Sequence, residues 1–71
     1  MDNKVRMTIH FRENYDADAI EALVDEKFPE ADLWPREREV RFTGSAERSQ
    51  ELIRAIETIE THDGIRISTR K

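Results

Sequence analysis

The 71-residue chain contains no cysteine, and it has only two glycines and two prolines. The lack of cysteine excludes a disulfide, a zinc finger, an iron–sulfur cluster and a thiol nucleophile. No apolar run approaches the roughly 18 residues that a membrane-spanning helix needs, and the first residues lead into an alternating pattern instead of a signal-peptide core. We therefore expect a cytoplasmic protein without membrane association, folded as one domain over residues 1–71.

Charged residues are abundant, since 16 acids and 12 bases make up 39% of the chain, yet the net charge is only −4. Strongly apolar residues are few enough to make composition alone indecisive between a folded and a disordered chain. They recur at regular periods, however, and regular periods indicate packed secondary structure. The sequence therefore predicts a small folded domain.

Three segments alternate between apolar and polar side chains, which is typical of half-buried strands. They cover residues 4–12, 39–43 and 65–70. A fourth, short edge strand is predicted at Leu33-Trp34, because the following Pro35 is tolerated only at an edge or in a turn. The side chains predicted to point inward are Val5, Met7, Ile9, Phe11, Val40, Phe42, Ile65 and Ile67.

Two segments carry apolar residues at helical spacing, and each follows a residue that favours a helix N-cap, Asp16 in one case and Ser45 in the other. We expect the first helix to end before Pro29. The second is expected to run to about Thr61, with Gly64 supplying a left-handed stop. The predicted apolar stripes are Ile20, Leu23, Val24 and Phe28, then Leu52, Ile53, Ile56 and Ile59.

The order of elements predicts an α+β two-layer sandwich of ferredoxin-like type, βαββαβ, with two helices on one face of a mostly antiparallel sheet. If the Leu33 strand is absent, the alternative is a three-stranded βαβαβ arrangement. The layout resembles the heavy-metal-associated domains of metallochaperones, which place a paired-cysteine loop between the first strand and the first helix. The matching segment here, residues 14–19, has no cysteine. The resemblance therefore implies the fold alone, and we expect neither a metal nor a cofactor.

The inward and outward directions predicted for the side chains of the strands and helices separate the charges onto two surfaces. The outward side of the sheet carries six cations against Glu39, namely Lys4, Arg6, Arg12, Arg41, Arg66 and Arg70. The first helix and its flanks, residues 14–32, carry seven acids against Lys27. Such segregation gives a large charge moment with a small net charge, which steers a protein toward a charged partner. The alternative is that both surfaces are merely solvated.

A non-enzymatic protein-interaction or regulatory module fits this pattern best, because arginine and tryptophan are favoured at binding interfaces. The residues predicted to bind a protein partner on the sheet are Arg6, His10, Arg12, Arg41 and Arg66. Trp34 is a candidate anchor at the sheet edge, and the alternative is that it folds over the core and caps the first helix. Pairing of two exposed edge strands into a homodimer is a further expectation.

Two other binding modes remain open at this stage. The acidic side, through Asp18, Glu21 and Asp25, could imitate a row of phosphates, as some small phage-encoded inhibitors do. The basic sheet face could instead bind nucleic acid. Base stacking needs exposed rings, however. The alternation predicts that Phe11 and Phe42 point inward, so His10 is expected to be the only ring on that face.

Enzymatic chemistry has little support in the sequence. There is no G-x-S-x-G motif, and the two histidines, His10 and His62, lie far apart in the chain. Asp16 and Asp18 lack the glycine and the further oxygen ligands of a calcium loop, and are better explained by helix capping. Thr43-Gly44-Ser45 is likewise explained by capping. We therefore expect no catalytic site and no metal site.

Overall fold

The computed structural model describes residues 4–70, apart from the side chain of His62. It contains β1 (Lys4–Phe11), α1 (Ala17–Lys27), β2 (Ala31–Trp34), β3 (Glu39–Ser45), α2 (Ala46–Glu57), a 3-10 turn (His62–Gly64) and β4 (Ile65–Arg70). The predicted βαββαβ order is confirmed, including the short strand at Leu33-Trp34.

The four strands form one sheet in the order β2-β3-β1-β4, and every neighbouring pair is antiparallel. This order, with both helices against one face, is the ferredoxin-like arrangement. Strands β1 and β3 lie in the middle, so that β2 and β4 are the edges. The resemblance in fold is therefore confirmed.

The core lies between the sheet and the two helices. Met7 and Ile9 of β1 are in register with Phe42 and Val40 of β3, and all four side chains are buried. The helices contribute the buried residues Ile20, Val24, Leu52 and Ile56. The Phe42 ring packs over Gly44, and a Cβ at this position would lie 2.7 Å from the Phe42 Cζ atom. A larger residue would therefore displace the ring.

Both predicted helix N-caps are confirmed. The Asp16 carboxylate accepts a hydrogen bond from the Ala19 N–H at 3.1 Å, and the Ser45 hydroxyl accepts one from the Arg48 N–H at 3.1 Å. Each cap satisfies a donor that the first turn of a helix leaves without a partner. Within residues 4–70 the longer helix, α2, has 12 residues, and neither helix has the length and hydropathy needed to cross a bilayer.

Three predicted ends of elements are wrong. Strand β1 ends at Phe11 instead of Arg12, β3 continues past Thr43 to Ser45, and α2 ends at Glu57 instead of near Thr61. The chain tightens after Glu57, where the Thr58 and Ile59 amides donate to carbonyls three residues earlier. Gly64 has no positive φ; the residue that adopts the left-handed region is Arg38, with φ 55°.

Ile67 is only partly covered. It is in register with Ile9, on the core side as predicted, but 36% of its surface is exposed because β4 is an edge strand. The core therefore thins toward β4.

Candidate functional site

The side of the sheet that faces away from the helices is termed here the open face. Besides Ser45, whose hydroxyl caps α2, strand pairing places these side chains on it: Lys4, Arg6, Thr8, His10, Asp32, Trp34, Glu39, Arg41, Thr43, Arg66, Ser68 and Arg70. Five of them are cations and two are acids. The open face is therefore basic, although less one-sided than the sequence predicts, because Asp32 joins Glu39 on it.

Three cations gather at one end of the open face. Arg6 stands directly opposite Arg70 of β4, and Lys4 is two residues earlier on the same side of β1. With Thr43 they line an open depression of about 460 Å³. Their side chains form no ion pair with any side chain described in residues 4–70. Like charges opposite each other in a sheet destabilise it, so this arrangement opposes folding.

A stacked cluster occupies the β2 side of the open face. Arg41 donates to Glu39 Oε1 from Nη2 at 2.7 Å and from Nε at 2.9 Å. The same guanidinium lies 4.1 Å from the centre of the Trp34 ring. A guanidinium over an indole is held by cation–π attraction. The charge-assisted hydrogen bonds fix its orientation as well.

Trp34 is 43% exposed in an edge strand, which confirms its predicted place at the sheet edge. Its alternative role, folding over the core to cap the first helix, is wrong, because its register with Glu39 puts it on the open face. The prediction that His10 is the only ring on this face is therefore wrong as well. Trp34 and His10 lie in one row across the sheet, with Glu39 between them.

Arg66 completes that row on β4, opposite His10, which is half-buried. Arg6, His10, Arg41 and Arg66 thus occupy the open face as the strand phases predict. What they bind remains a prediction.

Arg12 contacts a buried carboxylate of the fold, and its binding of a partner stays a prediction. It follows the end of β1, and its Nε lies 3.4 Å from Oε1 of Glu60, a carboxylate that is 5% exposed. The other oxygen of Glu60 accepts a hydrogen bond from the Asp16 N–H at 3.1 Å. Arg12 also lies close over Gly64, where a Cβ would come within 3.2 Å of its Cδ. The guanidinium, whose side chain is 58% exposed, therefore lies at the surface over the buried carboxylate of Glu60.

Sequence reasoning missed Arg38. It lies with His10, Arg12 and Arg66 around a cleft of about 400 Å³ at the end of the sheet. Its carbonyl accepts a hydrogen bond from the Phe11 N–H at 2.7 Å, and its φ of 55° is uncommon for a residue other than glycine. No feature of the sequence predicts a left-handed arginine there, whereas Pro35 three residues earlier does indicate a turn.

The acidic side is smaller than predicted. Asp18, Glu21 and Asp25 are exposed on α1, and their spacing of three and four residues puts them on one stripe of the helix. Asp32 is not with them, because it lies on the open face in register with Arg41. Glu30 is held by Arg48 and does not contribute a free charge.

Arg48 was also missed, and it joins three segments on the helix side. Its guanidinium donates to both carboxylate oxygens of Glu30 at 2.9 and 3.1 Å, to Glu51 at 2.8 Å and to the Lys27 carbonyl at 2.6 Å. It also lies 4.5 Å from the centre of the Phe28 ring. The hydrogen bonds from Arg48 lower the pKa of Glu30.

No protein-family model, curated protein or solved structure matches this chain. Among the side chains described in residues 4–70, no three histidines, aspartates or glutamates come together as a metal-binding group would require. The candidate functional site is the open face, which is identified by its unpaired cations at one end and by the exposed cluster of Trp34 and Arg41 at the other.

Proposed function

We propose that the protein is a non-enzymatic interaction module that binds an acidic segment of a partner protein on the open face. The observation that carries this proposal is the pair Arg6 and Arg70. Two arginines face each other across β1 and β4 without a carboxylate from any described residue between them. Folding gains nothing from that arrangement, whereas a partner's carboxylates would relieve the repulsion and form charge-assisted hydrogen bonds.

Trp34 and Arg41 supply the anchor of the proposed interface. Exposed tryptophan and arginine dominate the binding energy of many interfaces, particularly where the side chains are held in place before binding. Arg41 is held by Glu39 and by the indole ring. The partner therefore meets a rigid stack at one side of the open face and free cations at the other.

A protein partner is favoured over a nucleic acid by the two acids on the same face. Asp32 and Glu39 lie on the β2 side and would repel a continuous phosphate backbone crossing all four strands. A protein surface can present bases to these two residues and acids to the arginines. The net charge of −4 also opposes general attraction to nucleic acid.

The test compares two charge-reversed variants with equal net charge. Arg6→Glu/Arg41→Glu changes the open face, whereas Arg36→Glu/Arg54→Glu changes exposed arginines in the β2–β3 turn and on α2. A labelled oligoglutamate peptide is titrated into each protein by fluorescence anisotropy at low salt, after circular dichroism has shown that each is folded. We expect the first variant to lose binding and the second to bind like the unchanged protein.

Two results would reject the proposal. One is a failure of the oligoglutamate peptide to bind the unchanged protein at low salt, where attraction between charges is least screened. The other is equal loss of binding in both variants, which would mean that only the net charge matters. A partner captured from the native host can then be tested with the same two variants.

Binding of a single-stranded nucleic acid is the second candidate, and Trp34 favours it. An exposed tryptophan on the open face, in one row with His10, supplies a ring of the kind that base stacking requires. A labelled oligonucleotide at low salt is the test. Binding that Trp34→Ala abolishes, together with no binding of oligoglutamate, would replace the protein partner with a nucleic acid.

A further inference from the structure

Strand β4 is an edge of the sheet that is largely open to solvent. It is the last strand in the order β2-β3-β1-β4, and five of its six side chains are exposed. An edge strand presents backbone N–H and C=O groups that an extended segment of another chain can pair with.

The backbone hydrogen bonds at the end of the sheet show which groups of β4 point outward. The Phe11 N–H donates to the Arg38 carbonyl, toward β3, and the next amide, Arg12, donates to the Gly64 carbonyl, toward β4. Because bonding directions alternate along an antiparallel strand, even-numbered β1 residues bond to β4. Their partners on β4 are also even-numbered. Ile67 and Thr69 therefore direct their N–H and C=O groups away from the sheet.

The side chains of β4 define the chemistry of this edge. Arg66 and Arg70 lie on the open face, four residues apart, and neither forms an ion pair with a side chain described in residues 4–70. Ile67 lies on the opposite side of the strand with 36% of its surface exposed. The edge thus offers two cations on one side and an apolar contact on the other.

A second copy of this chain is a poor occupant of the edge. Two β4 strands paired antiparallel about Ser68 would bring Arg66 of each copy against Arg70 of the other, and like charges in cross-strand positions are destabilising. Cations on an edge strand block such self-pairing. They attract a strand that carries carboxylates in the matching positions.

We propose that the partner's acidic segment binds as an added strand along β4. Its sequence would follow the pattern acid, apolar, any residue, apolar, acid. Residues opposite Arg66 and Arg70 share one face, and the two apolar residues on the other face lie opposite Ile67 and Thr69. This inference rests on the proposed function and specifies the chemistry of the partner. It is distinguishable from that function, since the open face can attract acids without any strand pairing.

The test uses peptides centred on Glu-Val-Thr-Val-Glu, with Val-Glu-Thr-Glu-Val as a control of equal composition. In the control the acids are two residues apart, so that only one of them can face an arginine. We expect the first peptide to bind about tenfold more tightly than the control, because one charge-assisted contact is lost. Equal affinity for the two peptides would overturn the proposed pattern.

Backbone methylation of the first peptide tests the strand itself. In an added strand, alternate amides point toward β4 and the others point to solvent. N-methylation of one alternate set should abolish binding, and N-methylation of the other set should leave it almost unchanged. If both methylated peptides bind as well as the unmodified one, strand addition is wrong while binding of acids by the open face stands.

A protein variant gives an independent measurement. Thr69→Pro removes an outward N–H without removing a bond to β1, and edge strands accept proline at such positions. The matched control is Thr69→Ala. We expect the proline variant to bind the first peptide at least about tenfold more weakly than the alanine variant, with the two giving the same circular dichroism spectrum. Equal binding would overturn the proposal.

Discussion

Arg48 and Arg6 have the same side chain on opposite sides of one sheet, and their surroundings are opposite in kind. The Arg48 guanidinium donates to two carboxylates and a backbone carbonyl, and it packs on an aromatic ring. Arg6 faces Arg70 and pairs with no carboxylate described in residues 4–70. On the helix side, charge joins segments of the fold. At the Arg6 end of the open face, charge is left unpaired at an energetic cost.

This difference separates stability from binding. Every contact of Arg48 is lost on unfolding, so its role is explained within the chain. The contacts of Arg6 do not explain its charge, because a smaller polar residue would suit an exposed strand as well and would avoid repulsion. The cation is explained if a partner supplies the missing carboxylate. Variants on both sides of the sheet test whether stability and binding are as separate as this difference implies.

The largest contrast is expected between adjacent residues of β3 that face opposite sides. Phe42 is 2% exposed, and Phe42→Ala should lower the free energy of unfolding by about 3–5 kcal/mol through lost burial and the cavity left behind. Thr43 lies on the open face, and Thr43→Ala should change the free energy of unfolding by about 0.5 kcal/mol or less. Urea denaturation measures both. A large loss for Thr43→Ala would mean that the open face contributes to folding after all.

Arg48→Ala should come next in size. It removes the bonds that tie α2 to the end of α1 and to Glu30, so we expect a lower melting temperature with unchanged binding of oligoglutamate. Arg48→Lys keeps the charge but cannot make the two-pronged contact with Glu30, and should melt between Arg48→Ala and the unchanged protein. Weaker peptide binding by folded Arg48→Ala would contradict the separation of the two sides.

A smaller effect is expected from pH. Arg48 lowers the pKa of Glu30 in the folded state, so the carboxylate contributes stability that is fully present above its unfolded pKa. That contribution is lost as the pH falls below the ordinary glutamate value of about 4.3. As the pH falls below this value, the Glu30→Gln variant should therefore lose less stability than the unchanged protein. If the melting temperatures of both proteins fall equally with pH over this range, the pair of Arg48 and Glu30 contributes nothing to stability.

The sequence was sufficient for the order of elements and for the strand phases, because alternation and helical spacing depend on local burial. It was insufficient where a distant contact decides the outcome. Arg12 lies against the buried carboxylate of Glu60, which is far along the chain, and alternation does not predict that contact. The end of α2 shifts for a related reason, since the early turn brings Glu60 to the Asp16 amide.

The direction of the Trp34 side chain is a second feature that the sequence does not predict. Leu33 and Trp34 are both apolar, so alternation does not tell which of them points inward. Pairing with β3 decides it: Leu33 lies opposite the buried Val40, and Trp34 consequently lies on the open face. The same pairing moves Asp32 from the acidic side to the open face. Register between strands, which a single sequence does not specify, thus determines the composition of the candidate site.

We propose that the open face keeps unpaired cations, at a cost to folding, because a partner uses them. Arg6→Glu tests it with two readouts on one variant, the free energy of unfolding from urea denaturation and the affinity for oligoglutamate. The new carboxylate would face Arg70, so we predict a gain in stability of about 0.2–1 kcal/mol together with weaker peptide binding. A loss of stability with unchanged peptide binding would contradict the account.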